Sequence, residues 1–84
     1  IALDDDDPVT VQLKNGNILY VGNEVCQIYD LTVHKWRMVS SIKKNVSGST
    51  AIILNDGNVL LMLGGFQKEA YIYNPETDIW TKSF

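Results

Sequence analysis

Apolar positions along the chain fall into short runs separated by turn residues, which predicts strands rather than helices. In residues 9–42 the runs are VTVQL, NILYVG, VCQIYDL and KWRMVS. In residues 43–84 they are STAIIL, NVLLMLG, EAYIYN and IWTKSF. No helical period competes with these runs, so we expect an all-β protein with four short strands in each half.

The two halves carry the same features in the same order, so the chain contains an internal repeat. Gly16 aligns with Gly57 at an offset of 41 residues, and Trp36 aligns with Trp80 at an offset of 44. In each half a Tyr precedes the Trp by seven residues. A period near 40 residues with strand-like content is typical of propellers or repeat arrays.

The strands within one half differ in how they use their two faces. Asn15-Gly16 and Asp56-Gly57 predict hairpins between the first and second strands, because these pairs tolerate the positive φ of tight turns. The second strands, residues 18–21 and 59–63, are apolar at every position, which predicts that both of their faces are covered. The fourth strands are more polar, as an outer edge requires. We therefore expect sheets stacked face to face.

The second half resembles the kelch repeat, which also forms the propeller domain of galactose oxidase. The resemblance rests on LLMLGG, with Gly64 and Gly65, and on YIYNPETDIW, with Tyr73 and Trp80. It implies a ring of four-stranded blades, each roughly one repeat. The implied division is an acidic leader or linker over residues 1–8, a blade over 9–42 and a second blade over 43–84.

The first half matches the same pattern less closely. It offers YVGN, with Gly22, and YDLTVHKW, with Tyr29 and Trp36, while Asn23 stands where the second glycine belongs. Asn tolerates left-handed backbone geometry, so the loop can be retained. In both halves the Tyr and the Trp are expected to pack between neighbouring blades, with N–H and O–H groups reaching backbone partners.

Composition and charge restrict the classes of function. The chain has 84 residues, 45% of them hydrophobic, and a formal charge of −3, as in a soluble globular domain rather than a nucleic-acid-binding one. The sequence contains neither a membrane-spanning run nor a signal peptide. Its single cysteine, Cys26, is expected to be a buried, unreactive thiol.

Two blades are fewer than a repeat fold normally needs to bury its faces. Because the chain starts at Ile and ends with a fourth strand, the sequence favours a segment of a longer propeller. The alternative is that several copies close a ring through head-to-tail contacts, with three copies supplying six blades. Further blades, from the same chain or from a homo-oligomer, are therefore expected partners.

The alternation of strand direction predicts which loops share a side of the molecule. Residues 22–24, 64–69 and the link at 40–49 are expected together on one side, where binding residues gather on a rigid scaffold. An aromatic and several basic side chains in these loops are candidates for contact with a protein partner. They are Phe66, Lys68, Lys43 and Lys44.

Other residues carry less specific chemistry. Asn45-Val46-Ser47 matches the glycosylation triplet. The acidic run Asp4–Asp7 suggests calcium binding, but it lacks the ligand spacing of a metal-binding loop. His34 has no identifiable second metal ligand beside it. Oxidases that resemble galactose oxidase need a copper site of several Tyr and His ligands, which one His and one Cys cannot supply. We therefore expect no catalytic, cofactor or metal site and a non-catalytic protein-interaction scaffold; the alternatives are part of an oxidase or sugar-binding protein, or a structural component of a large assembly.

Overall fold

A computed structural model of the chain describes residues 8–64 and 68–83. These residues form two four-stranded antiparallel sheets and contain no helix, which confirms the predicted all-β fold class. The strands are β1 (Val9–Gln12), β2 (Ile18–Val21), β3 (Cys26–Asp30), β4 (Lys35–Val39), β5 (Thr50–Ile53), β6 (Val59–Met62), β7 (Ala70–Asn74) and β8 (Ile79–Lys82). Sheet A has the order β1-β2-β3-β4, and sheet B has the order β5-β6-β7-β8.

The first hairpin of each sheet turns on its glycine alone. Gly16 has φ 94° and Gly57 has φ 90°, whereas Asn15 and Asp56 stay outside the left-handed region. In the first hairpin the N–H of Gly16 donates to the Leu13 carbonyl at 2.9 Å, and the second hairpin has the equivalent bond. These turns are therefore of the kind in which a left-handed glycine follows an ordinary turn, rather than the two-residue kind with positive φ at both positions.

The core lies between the two sheets, whose first strands, β1 and β5, are neighbours. Each sheet turns one apolar face inward, which we call its inner face, because strand alternation puts every second side chain there. The link at residues 40–49 adds Val46, which is fully buried, and Cys26 is buried as expected. The buried side chains of the two inner faces are Val9, Leu19, Val21, Cys26 and Ile28 from sheet A and Val59, Leu61, Tyr71 and Tyr73 from sheet B.

The link between the sheets passes so close to Gly64 that no side chain fits there. A Cβ at Gly64 would overlap the backbone of Gly48, and the Gly64 N–H donates to Ser49 Oγ at 3.2 Å. In sheet A, Asn23 does not adopt the left-handed geometry expected of it. Its Oδ1 instead accepts a hydrogen bond from the N–H of Val46 at 3.0 Å, so its side chain holds the same link.

The expected coverage of both faces of the second strands differs between the sheets. In β2, Tyr20 points away from the core and is still buried. In β6 the corresponding side is open: Leu60 is half-buried and Met62 is 41% exposed. Sheet B therefore presents an apolar surface that nothing in the described part of the chain covers.

Candidate functional site

The three loops predicted to share one side are joined by direct contacts. Asn23 bonds to Val46 of the link, Gly64 bonds to Ser49 of the link, and Lys44 Nζ lies 3.5 Å from Glu69 Oε1. We call this end of the molecule the loop face: residues 22–24, 40–49, 64, 68 and 69, with Lys82 at the end of β8. The hairpin turns and residues 30–35 and 75–78 form the turn face, which meets the loop face where Asp78 is hydrogen-bonded to Ser40.

The predicted contact residues occupy different positions on the loop face. Lys43 is exposed and has φ 54°, a left-handed conformation that side chains rarely adopt. Lys44 is half-buried and ion-paired, and Lys68 is exposed. Gly65 and Phe66 lie outside the described residues, so Phe66 remains a sequence prediction.

Glu69 organises the basic residues around it. Its Oε1 accepts a hydrogen bond from the Tyr71 hydroxyl at 3.0 Å, and its Oε2 lies 3.3 Å from Lys82 Nζ. The Tyr71 hydrogen bond, with help from Lys82 and Lys44, lowers the pKa of Glu69 below its ordinary value. The carboxylate therefore stays charged at neutral pH and orders two of the lysines without cancelling the whole positive charge of the face.

The described residues of the loop face and of the turn face differ in charge. The loop face holds four lysines against two glutamates, whereas the turn face holds two lysines against four acidic residues, with Arg37 also acting on Asp78. This separation was not predicted, because it depends on which loops the strand order brings together. The loop-face residues are Lys43, Lys44, Lys68, Lys82, Glu24 and Glu69, and the turn-face residues are Lys14, Lys35, Asp30, Asp56, Glu76 and Asp78.

A cluster of hydrogen bonds fastens sheet B to the end of sheet A. Asp78 Oδ1 accepts from the Ser40 N–H at 2.9 Å and from the Tyr73 hydroxyl at 2.7 Å, while its Oδ2 accepts from Ser40 Oγ at 3.0 Å. The Trp80 indole N–H donates to the Ser40 carbonyl at 2.8 Å. We call these four residues the Asp78 clasp.

The clasp shifts the titration of both of its ionisable groups. The Tyr73 hydroxyl, followed by the Ser40 N–H, lowers the pKa of Asp78. Burial, followed by the hydrogen bond to Asp78, raises the pKa of Tyr73. These two shifts mean that Asp78 is charged and Tyr73 is neutral at neutral pH. The clasp is therefore a charged carboxylate held by neutral hydrogen-bond donors, and it fastens the two sheets together. Asp78 stands five residues after Tyr73 and aligns with His34, which stands five residues after Tyr29, so sheet A has a histidine at the position equivalent to the carboxylate.

Sheet A repeats the aromatic part of this arrangement without its polar partners. His34 has φ 55°, close to the 58° of Asp78, and its Nδ1 lies 3.5 Å from the Tyr29 hydroxyl. Tyr29 and Trp36 pack with ring centroids 5.2 Å apart, and Trp36 also meets the edge of Tyr20. Within residues 8–64 and 68–83 the Trp36 indole N–H has no hydrogen-bond acceptor.

The described part of the chain contains no candidate metal centre. No group of three or more His, Cys, Asp or Glu side chains there is arranged to hold a metal ion. No helix in these residues has the length and apolar character needed to cross a membrane. A cavity of about 330 Å³ lies on the turn face between the two hairpins, lined by Leu13, Asn15, Asp56, Pro75 and Glu76.

No known family model matches the chain, and neither does any curated protein.

Proposed function

We propose that the chain is a segment of a kelch-like β-propeller that binds other proteins without catalysing a reaction, and that the loop face is its contact surface. Two stacked four-stranded meanders with an internal repeat support the propeller assignment. The quoted glycine, Tyr and Trp motifs support the kelch-like type. A propeller provides a rigid support on which loops can differ in sequence while the blades stay the same.

The proposal rests on the excess of lysine over acidic residues among the described residues of the loop face, four lysines against two glutamates. A basic surface steers association with a partner of opposite charge and disfavours other orientations. The partner is therefore an acidic segment of another protein.

The loop face is ordered before a partner arrives. Its link is tied by Asn23 and Ser49, and it packs on Gly64 with no room for a side chain. Binding loops that are already ordered lose less conformational entropy when they bind. This preorganisation supports the link at residues 40–49 as the centre of the contact, with the exposed Lys43 and Lys68 as the charged contacts.

The test measures binding of a fluorescein-labelled peptide rich in Asp and Glu by fluorescence anisotropy. Replacing Lys43 and Lys68 together by Gln is expected to weaken binding about tenfold, since each removes a charged contact. The matched control replaces Lys14 and Lys35 by Gln, which makes the same change of charge on the turn face, and is expected to weaken binding less than about twofold.

The salt dependence provides a second readout. Raising the ionic strength from about 0.05 M to 0.5 M is expected to weaken binding of the unmodified protein, because exposed charges are screened. Equal losses in the two double variants would show that only net charge matters and would overturn the assignment of the loop face. A folded protein that binds no acidic peptide would contradict the proposal as a whole. The Phe66→Ala variant separately tests the predicted aromatic anchor.

A further inference from the structure

Sheet B turns an apolar surface to solvent on the side away from the core. Register places Ile52, Leu60 and Ile72 in one row across β5, β6 and β7, with Met62 and Ile79 beside that row. Ile52 is 43% exposed and Ile79 is 55% exposed. We call this surface the outer face of sheet B. Single exposed apolar residues are common, but a contiguous row across several strands marks an interaction surface.

Sheet A turns a different surface outward, made of rings and polar groups. Tyr20, Gln27 and Met38 lie in one row across β2, β3 and β4, and Tyr29 and Trp36 lie in the next row. We call this surface the outer face of sheet A. Gln27 is only 3% exposed, yet its Oε1 has no hydrogen-bond partner within the described residues. Buried polar atoms are normally paired, so the described residues leave this face without a donor for Gln27 Oε1.

The internal repeat relates each outer face to an inner face of the other sheet. Ile52, Leu60 and Ile72 of the outer face of sheet B align with residues of the inner face of sheet A, at offsets of 41, 41 and 44 residues. Those residues are Val11, Leu19 and Ile28. In the same way Tyr29 and Trp36 of the outer face of sheet A align with the clasp residues of sheet B, Tyr73 and Trp80.

The two inner faces are packed against each other in the core of the chain. The contact between them is therefore a template for a contact between the two outer faces, because each outer face has the residue pattern of one inner face. One chain carries both outer faces, on opposite sides. A second copy of the chain therefore offers the matching surface for each of them.

We propose that the outer face of sheet A of one copy docks on the outer face of sheet B of a second copy, head to tail, in the register of the internal contact. In the internal contact the Trp80 indole N–H donates to the carbonyl of Ser40, which follows β4. In the docked pair Trp36 takes the position that Trp80 has in the internal contact. This contact uses neither the loop face nor its lysines, but it rests on the propeller assignment that is part of the proposed function.

The small size of each face favours a closed ring of copies over an open pair. Four strands about 4.8 Å apart and about 13 Å long give a face of roughly 250 Å², so one contact covers roughly 500 Å² counting both copies. Stable pairs need about 1,000 Å² or more. A closed ring gives every copy two such contacts, and two to four copies would supply the four to eight blades of known propeller rings. Closed rings are therefore expected to be more stable than open dimers.

The test is native mass spectrometry and analytical ultracentrifugation of the 84-residue chain over a range of concentrations. Ile52→Glu alters the outer face of sheet B, and Met38→Glu alters the outer face of sheet A, where Met38 is 65% exposed. Both positions are accessible in the single copy, so the substitutions are compatible with folding. The matched control, Val33→Glu, adds the same charge at an exposed position in the turn between β3 and β4.

The unmodified chain and Val33→Glu are expected to form the same oligomer of two to four copies, and Ile52→Glu and Met38→Glu are each expected to be folded monomers. Mixing the two monomeric variants should restore one contact, because each retains the face that the other lacks, and should give a one-to-one pair at high concentration. A folded, monomeric unmodified chain would overturn the proposal. Loss of association in only one of the two face variants would also overturn it, because the contact would then join two identical faces.

Discussion

The Asp78 clasp can be weakened without removing any atom that packs, by the substitution Asp78→Asn. Asn retains an oxygen that can accept from the Ser40 N–H and the Tyr73 hydroxyl, and it tolerates the positive φ at this position. What it removes is the negative charge, and hydrogen bonds to a charged group are roughly twice as strong as neutral ones. For three bonds on an exposed side chain, we expect the free energy of unfolding to fall by about 1 kcal/mol.

The matched control is His34→Asn, which places the same residue at the aligned position with nearly the same φ. The hydrogen-bond and ring contacts of His34 are with Tyr29 of its own sheet, so its substitution is expected to change stability by less than about 0.5 kcal/mol. A loss of about 1 kcal/mol corresponds to a fall in Tm of about 4–8 °C for a domain of this size.

The assay is urea unfolding followed by tryptophan fluorescence, at two protein concentrations so that association is separated from folding. At pH 7 Asp78→Asn should unfold at lower urea than the unmodified chain. The gap should narrow as pH falls below 3.8, because the unfolded state then binds a proton at Asp78 more readily than the folded state, whose Asp78 pKa is lowered. Equal effects of the two Asn variants, or a gap that does not change with pH, would refute the assignment of the clasp as a charged fastening.

Three further results are expected. Gly64→Ala should destabilise the fold by more than about 2 kcal/mol in thermal unfolding, because the new Cβ would overlap the Gly48 backbone. The control Gly48→Ala, at a position with open space and φ 74°, should lose about 1 kcal/mol. Similar losses in the two variants would contradict the close approach of the link to Gly64. Trp80→Phe should lose about 1 kcal/mol of unfolding free energy with its bond to the Ser40 carbonyl, and Trp36→Phe should lose less when measured in the monomer; equal losses would contradict this assignment. The folded-state pKa values of Asp78 and Glu69 are lowered from 3.8 and 4.5. The contribution of these two carboxylates to the stability of the fold is therefore complete above those values and is lost as pH falls through the folded-state pKa values. An acid titration that shows no loss of stability below about pH 4.5 would contradict this expectation.

The strand pattern was predictable from sequence because it depends on local rules. Alternation, apolar runs and the glycines at positions 16 and 57 place the eight strands and both hairpins. The repeat also predicts that Tyr73 and Trp80 pack between sheets, and Trp80 reaches a backbone carbonyl as expected. These features depend on neighbours within a few residues, or on the comparison of one half with the other.

The polar fastenings were not predictable, because they join residues far apart in sequence. Asp78 meets Ser40 across 38 positions, and Asn23 meets Val46 across 23. Asn23 is an example of such a contact. Because Asn tolerates left-handed geometry, the sequence suggested that Asn23 replaces a glycine, whereas in the structure its side-chain amide oxygen accepts a hydrogen bond from the link. The difference in charge between the loop face and the turn face also emerges only when the strand order brings separate loops together.

The claim on which the assembly depends is that both outer sheet faces are covered when copies associate. The chain contains two methionines, and one lies on each face: Met38 on sheet A, 65% exposed, and Met62 on sheet B, 41% exposed. Oxidative footprinting with peptide mapping therefore reads both faces in one experiment. We predict that the oxidation rates of Met38 and Met62 fall together, with the same midpoint, as protein concentration rises. Rates that do not depend on concentration, or protection of one methionine alone, would contradict the account.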